Sequence, residues 1–369
     1  MPVRDHAALA QCQGLVFAGE SGVVLTPPRP LISPVDRLSI PRSEHLTLGR
    51  MTEPPATLLT GRGCTGRCAF CFEGNASRRV NKGLRLHSVQ RCLEEVDYLV
   101  RKFHPKYLTI MDDTFVADAR RLREFCQEMI GRYHERVKWF CEARMDSLWR
   151  QRDLLPLMIE AGLLRIQVGG ESGCQHILDA YRKGITLEQL QWFADAAGSA
   201  GLHSAYINFI IGGAFETRET ARRTREFACD LIRRAPAIVA VGHSLFTPYP
   251  ATPIHENPEA YGLKLLDKDV VTGFGDSHAF CRTAELTRFD ILELGREFNK
   301  AVQDAMNDIA QAMPLEVADR VFEGQHKWGL EGEWYEFLSQ DSRWSGYYLA
   351  LHAGRAKRLG DVPTDRIEH

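Results

Sequence analysis

Short apolar runs alternate with longer helix-like stretches through the middle of the chain. The apolar runs have the length of buried strands, and a segment long enough for a helix lies between most of them. This alternation is typical of repeated βα units around a parallel sheet. The predicted strands are Thr57–Thr60, Tyr107–Met111, Val137–Cys141, Leu164–Val168, Ala205–Ile211 and Ile238–Val241, and the predicted helices lie near Ser88–Phe103, Ala119–Tyr133, Leu154–Ala161, Leu187–Ala200 and Arg218–Arg233.

The six units predict an α/β fold with a partial (β/α)6 barrel over residues 56–265. Residues 1–55 are expected to form an extended strap, because the prolines from Pro27 to Pro55 prevent a long helix. Residues 266–369 are expected to be a mainly helical extension. It opens with an amphipathic helix from about Leu286 to Met313, and shorter helices rich in aromatic residues follow.

Polar residues gather where the predicted strands end. In parallel βα architectures the chemistry lies at the carboxyl ends of the strands, so this placement predicts a site there. Each residue taken alone fits a solvated loop or a helix cap equally well, and Asp113 in particular could cap the helix that starts near Asp118. The residues are Asp112 and Asp113 after the second strand, Arg144 and Asp146 after the third, Glu171 after the fourth, Asn208 and Gly212 in and after the fifth, and His243 and Tyr249 after the sixth.

Three cysteines lie together in the loop after the first strand. Cys64, Cys68 and Cys71 have a three-then-two spacing that lets their thiols converge on one iron–sulfur cube. Such clusters are usually held by four thiolates, so one iron would be left for another ligand. Two alternatives stay open, namely a zinc site that lacks its fourth ligand and a set of ordinary buried cysteines.

The other cysteines, the net charge and the start of the chain indicate which classes of protein are excluded. The seven other cysteines are scattered without a second paired motif, which argues against both a second cluster and a disulfide framework. The net charge of −2 offers no electrostatic footprint for nucleic acid. The start of the chain has no signal-peptide pattern and no run reaches membrane-spanning length. We therefore expect a cytoplasmic globular protein that binds neither nucleic acid nor membrane.

The motifs also follow one another in a recognisable order. Their sequence resembles that of the radical S-adenosylmethionine (radical SAM) superfamily, and in particular its cobalamin-associated branch, over about residues 15–265. The residues that carry the resemblance are Thr60-Gly61-Arg62-Gly63, the three cysteines, Arg85, Asp112-Asp113-Thr114-Phe115, Gly169-Gly170-Glu171-Ser172-Gly173 with Lys183, and Tyr249-Pro250-Ala251-Thr252-Pro253.

The N-terminal part of the sequence differs from the cobalamin-associated branch. The segment from Gly14 to Leu38 is similar to the linker that joins a cobalamin domain to the barrel, but that domain and its Asp-x-His-x-x-Gly signature are not found. The stretch Asp276–Cys281 has only the beginning of that signature and follows the barrel. A methyltransferase would then need cobalamin from a separate protein.

The resemblance implies a cofactor set and a role for several residues. The cofactors are a [4Fe–4S] cluster and S-adenosylmethionine, with a 5′-deoxyadenosyl radical as the reactive species. Phe70 is expected to cover the adenine, Lys183 to neutralise the methionine carboxylate, and Gly212 to let backbone approach the adenine. Cys64, Cys68 and Cys71 would ligate the cluster, Asp112 and Asp113 would receive the methionine amino group, and Glu171 and Asn208 would contact the ribose.

The implied activity is hydrogen abstraction from a small polar metabolite, such as a sugar or aminocyclitol. A dehydratase, epimerase or dehydrogenase fits, with flavodoxin or ferredoxin as electron donor. The alternatives are a methyltransferase that borrows cobalamin and a non-catalytic iron–sulfur protein. The candidates for substrate contact are Arg144, Asp146, Tyr206, His243, Tyr249 and His278, and Cys281 is a candidate donor that returns a hydrogen atom to the substrate radical, with a buried small hydrophobe as its alternative.

Overall fold

The computed structural model describes residues 6–19, 21–41, 56–79, 83–134, 136–266 and 278–328. The chain divides into two units, Met1–His45 and Leu46–His369. Both predicted domain boundaries, 55/56 and 265/266, adjoin segments outside the described residues and stay predictions. The aromatic residues from Trp334 to Tyr348 also lie outside them.

The first unit contains more regular structure than the extended strap that the prolines predict. Helix α1 spans His6–Gln11, and strands β1 (Val16–Gly19) and β2 (Gly22–Leu25) form an antiparallel hairpin with Val16 opposite Leu25. The reason is that no proline lies between Pro2 and Pro27, so the residues between them are free to pair. The predicted turn near Ser33–Leu38 contains a 3-10 helix at Val35–Arg37.

The second unit is built on a parallel sheet of six strands, as the alternating pattern predicts. Its strands are β3 (Thr57–Leu58), β6 (Tyr107–Ile110), β7 (Lys138–Ala143), β8 (Leu163–Glu171), β9 (Ser204–Ile211) and β10 (Val239–Leu245). They lie in the order β10-β9-β8-β7-β6-β3, and all neighbouring pairs are parallel. Two short antiparallel pairs lie outside this sheet, namely β4 (Gly61–Arg62) with β5 (Arg85–Leu86) and β11 (Leu263–Leu265) with β12 (Cys281–Thr283).

The helices begin at side-chain caps that the sequence carries at the expected places. Thr186 and Thr217 each form a capping box, and Ser88 and Asp118 each accept a bond from the backbone three residues on. Asp118 therefore caps its helix, which leaves Asp113 available for another role. The helices are α2 (Phe72–Arg79), α3 (Val89–Phe103), α4 (Ala119–Tyr133), α5 (Met145–Arg150), α6 (Leu155–Glu160), α7 (Gln175–Ala180), α8 (Leu187–Ser199), α9 (Arg218–Arg234), α10 (Pro253–Glu256), α11 (Arg288–Ala312) and α12 (Leu315–Trp328).

The main core lies between the sheet and its helices. Trp139 on β7 is fully buried, makes edge contacts with Phe115 and Phe125, and donates its indole N–H to the Ala161 carbonyl at 2.9 Å. Helix α11, which the sequence predicts within two residues at its start, packs on α9 and β10. None of the described helices is long and apolar enough to cross a membrane.

Candidate active site

The cysteine loop between β4 and α2 is fixed by bonds to its backbone. The Ala69 N–H donates to the Tyr181 carbonyl at 2.7 Å, and the Ala69 carbonyl accepts from the Ile254 N–H at 3.2 Å. The Asn75 amide donates to the carbonyls of Cys71 and Cys68, at 2.7 and 3.2 Å. These bonds hold the three thiols toward one cavity of about 350 Å³ at the carboxyl edge of the sheet.

The cavity brings most of the predicted site residues together. Each of the six sheet strands, or the chain segment that follows it, contributes to its walls, as expected for a parallel sheet. Its lining includes, from the predicted set, Cys64, Cys68, Cys71, Phe70, Asp113, Arg144, Glu171, Lys183, Asn208 and Tyr249, and, from residues that the sequence analysis did not single out, Glu73, Glu142, Gln167, Ser244 and Thr247.

The chemistry of the three thiols suits an iron–sulfur cluster. Thiolates are soft ligands of the kind that such clusters require. Burial raises the pKa of the Cys64 and Cys71 thiols, while the Gly66 N–H, which donates to the Cys64 sulfur at 3.3 Å, acts in the opposite direction. Within the described part of the chain, no three His, Cys, Asp or Glu side chains are close enough to hold a single metal ion. An iron–sulfur cube does not require three side chains to meet at one ion, because each thiolate binds a different iron.

A buried ion pair joins Lys183 to Glu171 beside the thiols. The side chains are 8% and 7% exposed, and the Lys183 ammonium lies 5.8 Å from the centre of the Phe70 ring. Burial opposes the charge on Lys183, but Glu171 and Cys68 together outweigh burial, so the pKa of Lys183 is raised above its ordinary value. Lys183 thus stays a cation inside the cavity.

A bulge in β8 directs Glu171 into this position. Gly169 is opposite Asn208 and Glu171 is opposite Phe209, so Gly170 is an extra residue in the ladder. Glu171 has a positive φ of 60°, and a side chain at Gly169 would collide with both members of the ion pair. The Gly-Gly-Glu sequence therefore serves to turn a charged side chain inward.

Arg144 lines the cavity and reaches the cysteine loop. Its Nη1 donates to the Cys68 sulfur at 3.1 Å, its Nε to Asp146 at 2.9 Å and its Nη2 to the Lys183 carbonyl at 3.0 Å. Each guanidinium nitrogen thus has a protein partner. The expected contact of Arg144 and Asp146 with a substrate stays a prediction.

One wall of the cavity is acidic. Burial, followed by the charges of Glu73, Glu142 and Asp112, raises the pKa of Asp113 to about 6. Burial also raises the pKa of Glu142, which accepts a bond of 3.5 Å from the Gln167 amide. The signal for Glu142 was present in the sequence, because a charged residue interrupts the otherwise apolar end of β7.

The opposite wall carries neutral polar groups. The Asn208 amide donates to the Ser244 hydroxyl at 3.5 Å, and Thr247 and Tyr249 lie along the loop after β10. Ile210 and Phe246 give this side an apolar floor. The two walls together can bind a small molecule through hydroxyl, amide and carboxylate groups.

Two predicted cofactor residues lie behind the cavity wall. Asp112 accepts bonds from the backbone N–H and the hydroxyl of Thr60, so it fixes the start of the cysteine loop. The Gly212 N–H donates to the buried carboxylate of Glu216, and Ile291 leaves no room for a side chain at Gly212. Of these four predicted cofactor residues, Asp113 and Asn208 line the cavity, whereas Asp112 and Gly212 are not part of its lining.

Two predicted substrate residues are also buried away from the cavity. The His243 ring packs against Phe298 at 5.2 Å under helix α11. The Cys281 thiol donates to the Gly212 carbonyl at 3.3 Å, and burial raises its pKa to about 12. The structure thus places Cys281 as a buried small hydrophobe, which is the alternative reading of its sequence context. Outside the lining as well, the Tyr206 hydroxyl lies against Gly242 and the His278 ring contacts Phe280 at 4.5 Å.

Comparison with known proteins agrees with this geometry. Residues 58–228 match the profile of the Radical SAM superfamily. This chain therefore contains a radical SAM domain, and its predicted cofactors, a [4Fe–4S] cluster and S-adenosylmethionine, are those that members of the superfamily use.

Two curated proteins are similar to this chain in sequence. An uncharacterized methyltransferase of Pyrococcus horikoshii is 32% identical over 68% of this chain and 53% of its own length. An anaerobic magnesium-protoporphyrin IX monomethyl ester cyclase of Cereibacter sphaeroides is 27% identical over 67% of this chain and 39% of its own length. The chain thus spans about half or less of these relatives.

The fold is similar to that of the cobalamin-dependent S-adenosylmethionine radical enzyme OxsB, solved with aqua-cobalamin and S-adenosylmethionine bound. The TM-score is 0.63 at 18% sequence identity, and the match covers 95% of this chain and 56% of that one. The expected resemblance to the cobalamin-associated branch is therefore confirmed at the level of the fold.

The burial of Glu216 beside Gly212 can be tested without any cofactor. Burial raises its pKa from 4.5 to about 7, so the folded protein binds this proton more tightly than the unfolded chain does. As pH rises from 4.5 to 7, the wild type should lose stability relative to Glu216→Gln, by at most about 1.4 kcal/mol per pH unit, with no further change above that range. Denaturant unfolding at pH 5, 6 and 8 measures the difference.

Glu219→Gln is the matched control on helix α9. Bonds from Arg222 and Arg223 lower the pKa of the exposed Glu219 to about 2, so it stays ionised throughout this range. Parallel stability curves for wild type and Glu216→Gln would show that the Glu216 carboxyl is not buried as described.

Proposed function

We propose that this chain is a radical SAM enzyme that removes a hydrogen atom from a small polar metabolite. The observation that carries the proposal is a single cavity that holds three cluster-type thiols, a buried lysine–glutamate pair and two polar walls. A protein that only stored a cluster would need the thiols alone, so the cradle formed by Lys183, Glu171 and Asn208 argues against the non-catalytic alternative.

When bound and reduced, the cluster and S-adenosylmethionine supply a 5′-deoxyadenosyl radical. In this proposal Cys64, Cys68 and Cys71 hold the cluster. Lys183 attracts the methionine carboxylate, because an ammonium has three N–H donors and Glu171 occupies only part of them. Phe70 covers the adenine, and Glu171 and Asn208 hold the ribose.

The acidic wall receives positive groups. Asp113 lies beside the thiols and is the residue we assign to the methionine ammonium. Glu142 and Gln167 then remain for the substrate. Carboxylates that line a cavity favour a cation and disfavour an anion. This complementarity supports an amino group on the substrate, as an aminocyclitol or amino sugar carries.

The opposite wall receives hydroxyl groups. Ser244, Thr247 and Tyr249 offer hydroxyls that both donate and accept, which suits a polyhydroxylated molecule. Anchoring from both sides fixes which C–H bond faces the radical, and closeness of the reacting atoms is the main contribution that the protein makes. We propose a dehydratase, epimerase or dehydrogenase reaction, with a low-potential donor such as flavodoxin or ferredoxin.

Reconstitution tests the first part of the proposal. With iron and sulfide the protein should bind four irons per chain, and with reductant it should slowly convert S-adenosylmethionine to 5′-deoxyadenosine and methionine. Cys68→Ala should abolish the conversion because it removes a ligand of the cluster, whereas Cys12→Ala should not, since Cys12 is exposed in the first unit. Chromatography of the products is the measurement. A Cys68→Ala protein as active as wild type contradicts the assignment.

Lys183→Ala should weaken S-adenosylmethionine binding and spare the cluster. It removes a cation from a carboxylate but no ligand from iron. A charge-assisted hydrogen bond is worth roughly 1.5–3 kcal/mol, or about ten- to a hundredfold in affinity. Equilibrium binding to the reconstituted protein gives the dissociation constant, and Lys300→Ala, at an exposed position of helix α11, is the control. Equal constants for Lys183→Ala and wild type would remove Lys183 from the cofactor site.

A second candidate function is methyl transfer with cobalamin supplied by a separate protein. It is favoured by the named methyltransferase activity of the Pyrococcus horikoshii relative and by the fold shared with a cobalamin-dependent enzyme. Anaerobic reactions with candidate substrates, with and without methylcobalamin, distinguish the two functions by product mass. A product heavier by one methyl group, formed only with cobalamin, would replace our first proposal with the second.

A further inference from the structure

Arg144 lines the cavity and donates a hydrogen bond directly to the sulfur of Cys68, a predicted cluster ligand. We propose that Arg144 is a positioning residue that sets the reduction potential of the cluster through its hydrogen bond to Cys68. This inference rests on the proposed function, because it requires that Cys64, Cys68 and Cys71 hold the cluster.

The guanidinium is held in one orientation from three sides. Asp146 accepts from Nε at 2.9 Å and the Lys183 carbonyl accepts from Nη2 at 3.0 Å, which leaves Nη1 directed at the Cys68 sulfur at 3.1 Å. The planar fork of arginine suits such a fixed geometry, whereas a lysine ammonium would not satisfy all three acceptors in the same way.

Gly66 provides the space that this arrangement needs. A side chain at Gly66 would collide with the Nη1 atom and the central carbon of the Arg144 guanidinium. The glycine in Cys64-Thr65-Gly66-Arg67-Cys68 therefore has a packing reason, which is independent of the hydrogen bond itself. The loop and the arginine fit each other as a pair.

The charge on Arg144 is both buried and secure. Its side chain is 10% exposed. An arginine side chain stays protonated in proteins even where it is buried. Arg150 also contacts Asp146 at 3.4 Å, so the negative charge of Asp146 is shared between two arginines. Arg144 thus keeps a positive charge beside the ligand sulfur.

A cation in this position favours the reduced cluster. Reduction adds one electron, and therefore one negative charge, to the cluster and its thiolates. A hydrogen bond and a positive charge at a ligand sulfur stabilise the more negative state, and bonds to the sulfurs are among the factors that set cluster potentials. Arg144 would therefore make the potential less negative and ease the one-electron reduction that starts the reaction.

The test measures the potential directly. Wild type, Arg144→Met and Arg144→Lys are reconstituted, their iron is counted, and the midpoint potential is determined by a dye-mediated titration followed by electron paramagnetic resonance. In Arg144→Met the ratio of reduced to oxidised cluster at a fixed solution potential should fall at least tenfold, which is about 59 mV for one electron. Arg144→Lys keeps the charge without the fork, so it should shift the potential in the same direction by less.

Arg150→Met is the matched control. It removes an arginine that contacts the same Asp146 but is 58% exposed and has no bond to the cysteine loop among those described. Its potential should stay at the wild-type value. A shift as large as that of Arg144→Met would assign the effect to net charge and overturn the role of the Cys68 bond.

The outcomes separate this inference from the proposed function. If wild type binds no four-iron cluster, the proposed function fails and the inference fails with it. If all proteins bind four irons and Arg144→Met and Arg144→Lys share the wild-type potential, only the inference is wrong. If Arg144→Met does not hold the cluster, the shift in Arg144→Lys decides the question.

Discussion

The two backbone hydrogen bonds of Ala69 position the cysteine loop, and the rest of the site depends on them. The cysteine loop has no helix or strand of its own, so its position comes from bonds to other segments. The N–H of Ala69 bonds to the end of helix α7 and its carbonyl to the start of helix α10, two segments far apart in the sequence. The thiols of Cys68 and Cys71 can therefore point into the cavity only when the later βα units have folded around them.

The buried charges of the site follow from the same requirement. Charged groups are rarely buried unless they are paired, because the loss of water is costly. Lys183 is paired with Glu171, and Arg144 is paired with Asp146 and reaches Cys68. The two pairs are also joined, since the Lys183 carbonyl accepts from Arg144. The part of the site assigned to the cofactor carboxylate and the part assigned to the cluster are thus one hydrogen-bonded body.

The local pattern of the sequence was enough to predict the six strands of the sheet and helices α3, α4, α6, α8 and α9, but not helices α2, α5, α7 and α10. The runs of apolar residues gave all six strands of the sheet, and Ala119–Tyr133 agrees at both ends. The pattern could not say which polar residue faces the cavity. Asp112 and Asp113 are adjacent, and only the bonds from Thr60 decide that Asp112 turns away.

Other features depended on contacts between segments distant in the chain. The inward direction of Glu171 comes from a bulge between two strands, and the engagement of Arg144 needs the cysteine loop beside it. His243 and Cys281 carry chemistry in their side chains, but the packing of later segments buries them. The hairpin of the first unit was missed because the prolines that follow it dominate the composition there.

Helix α11 has a consequence for how the second unit folds. It covers strand β10, Phe298 packs against both His243 and Phe209, and Arg225 on α9 forms an ion pair with Glu297. The helix thus fills the side of the sheet where a closed barrel would continue with further strands. Removing it would expose the apolar face of β9 and β10 to water. We therefore expect barrel and helix to unfold together, and a chain that ends before helix α11 to be less stable than one that extends to Ala312.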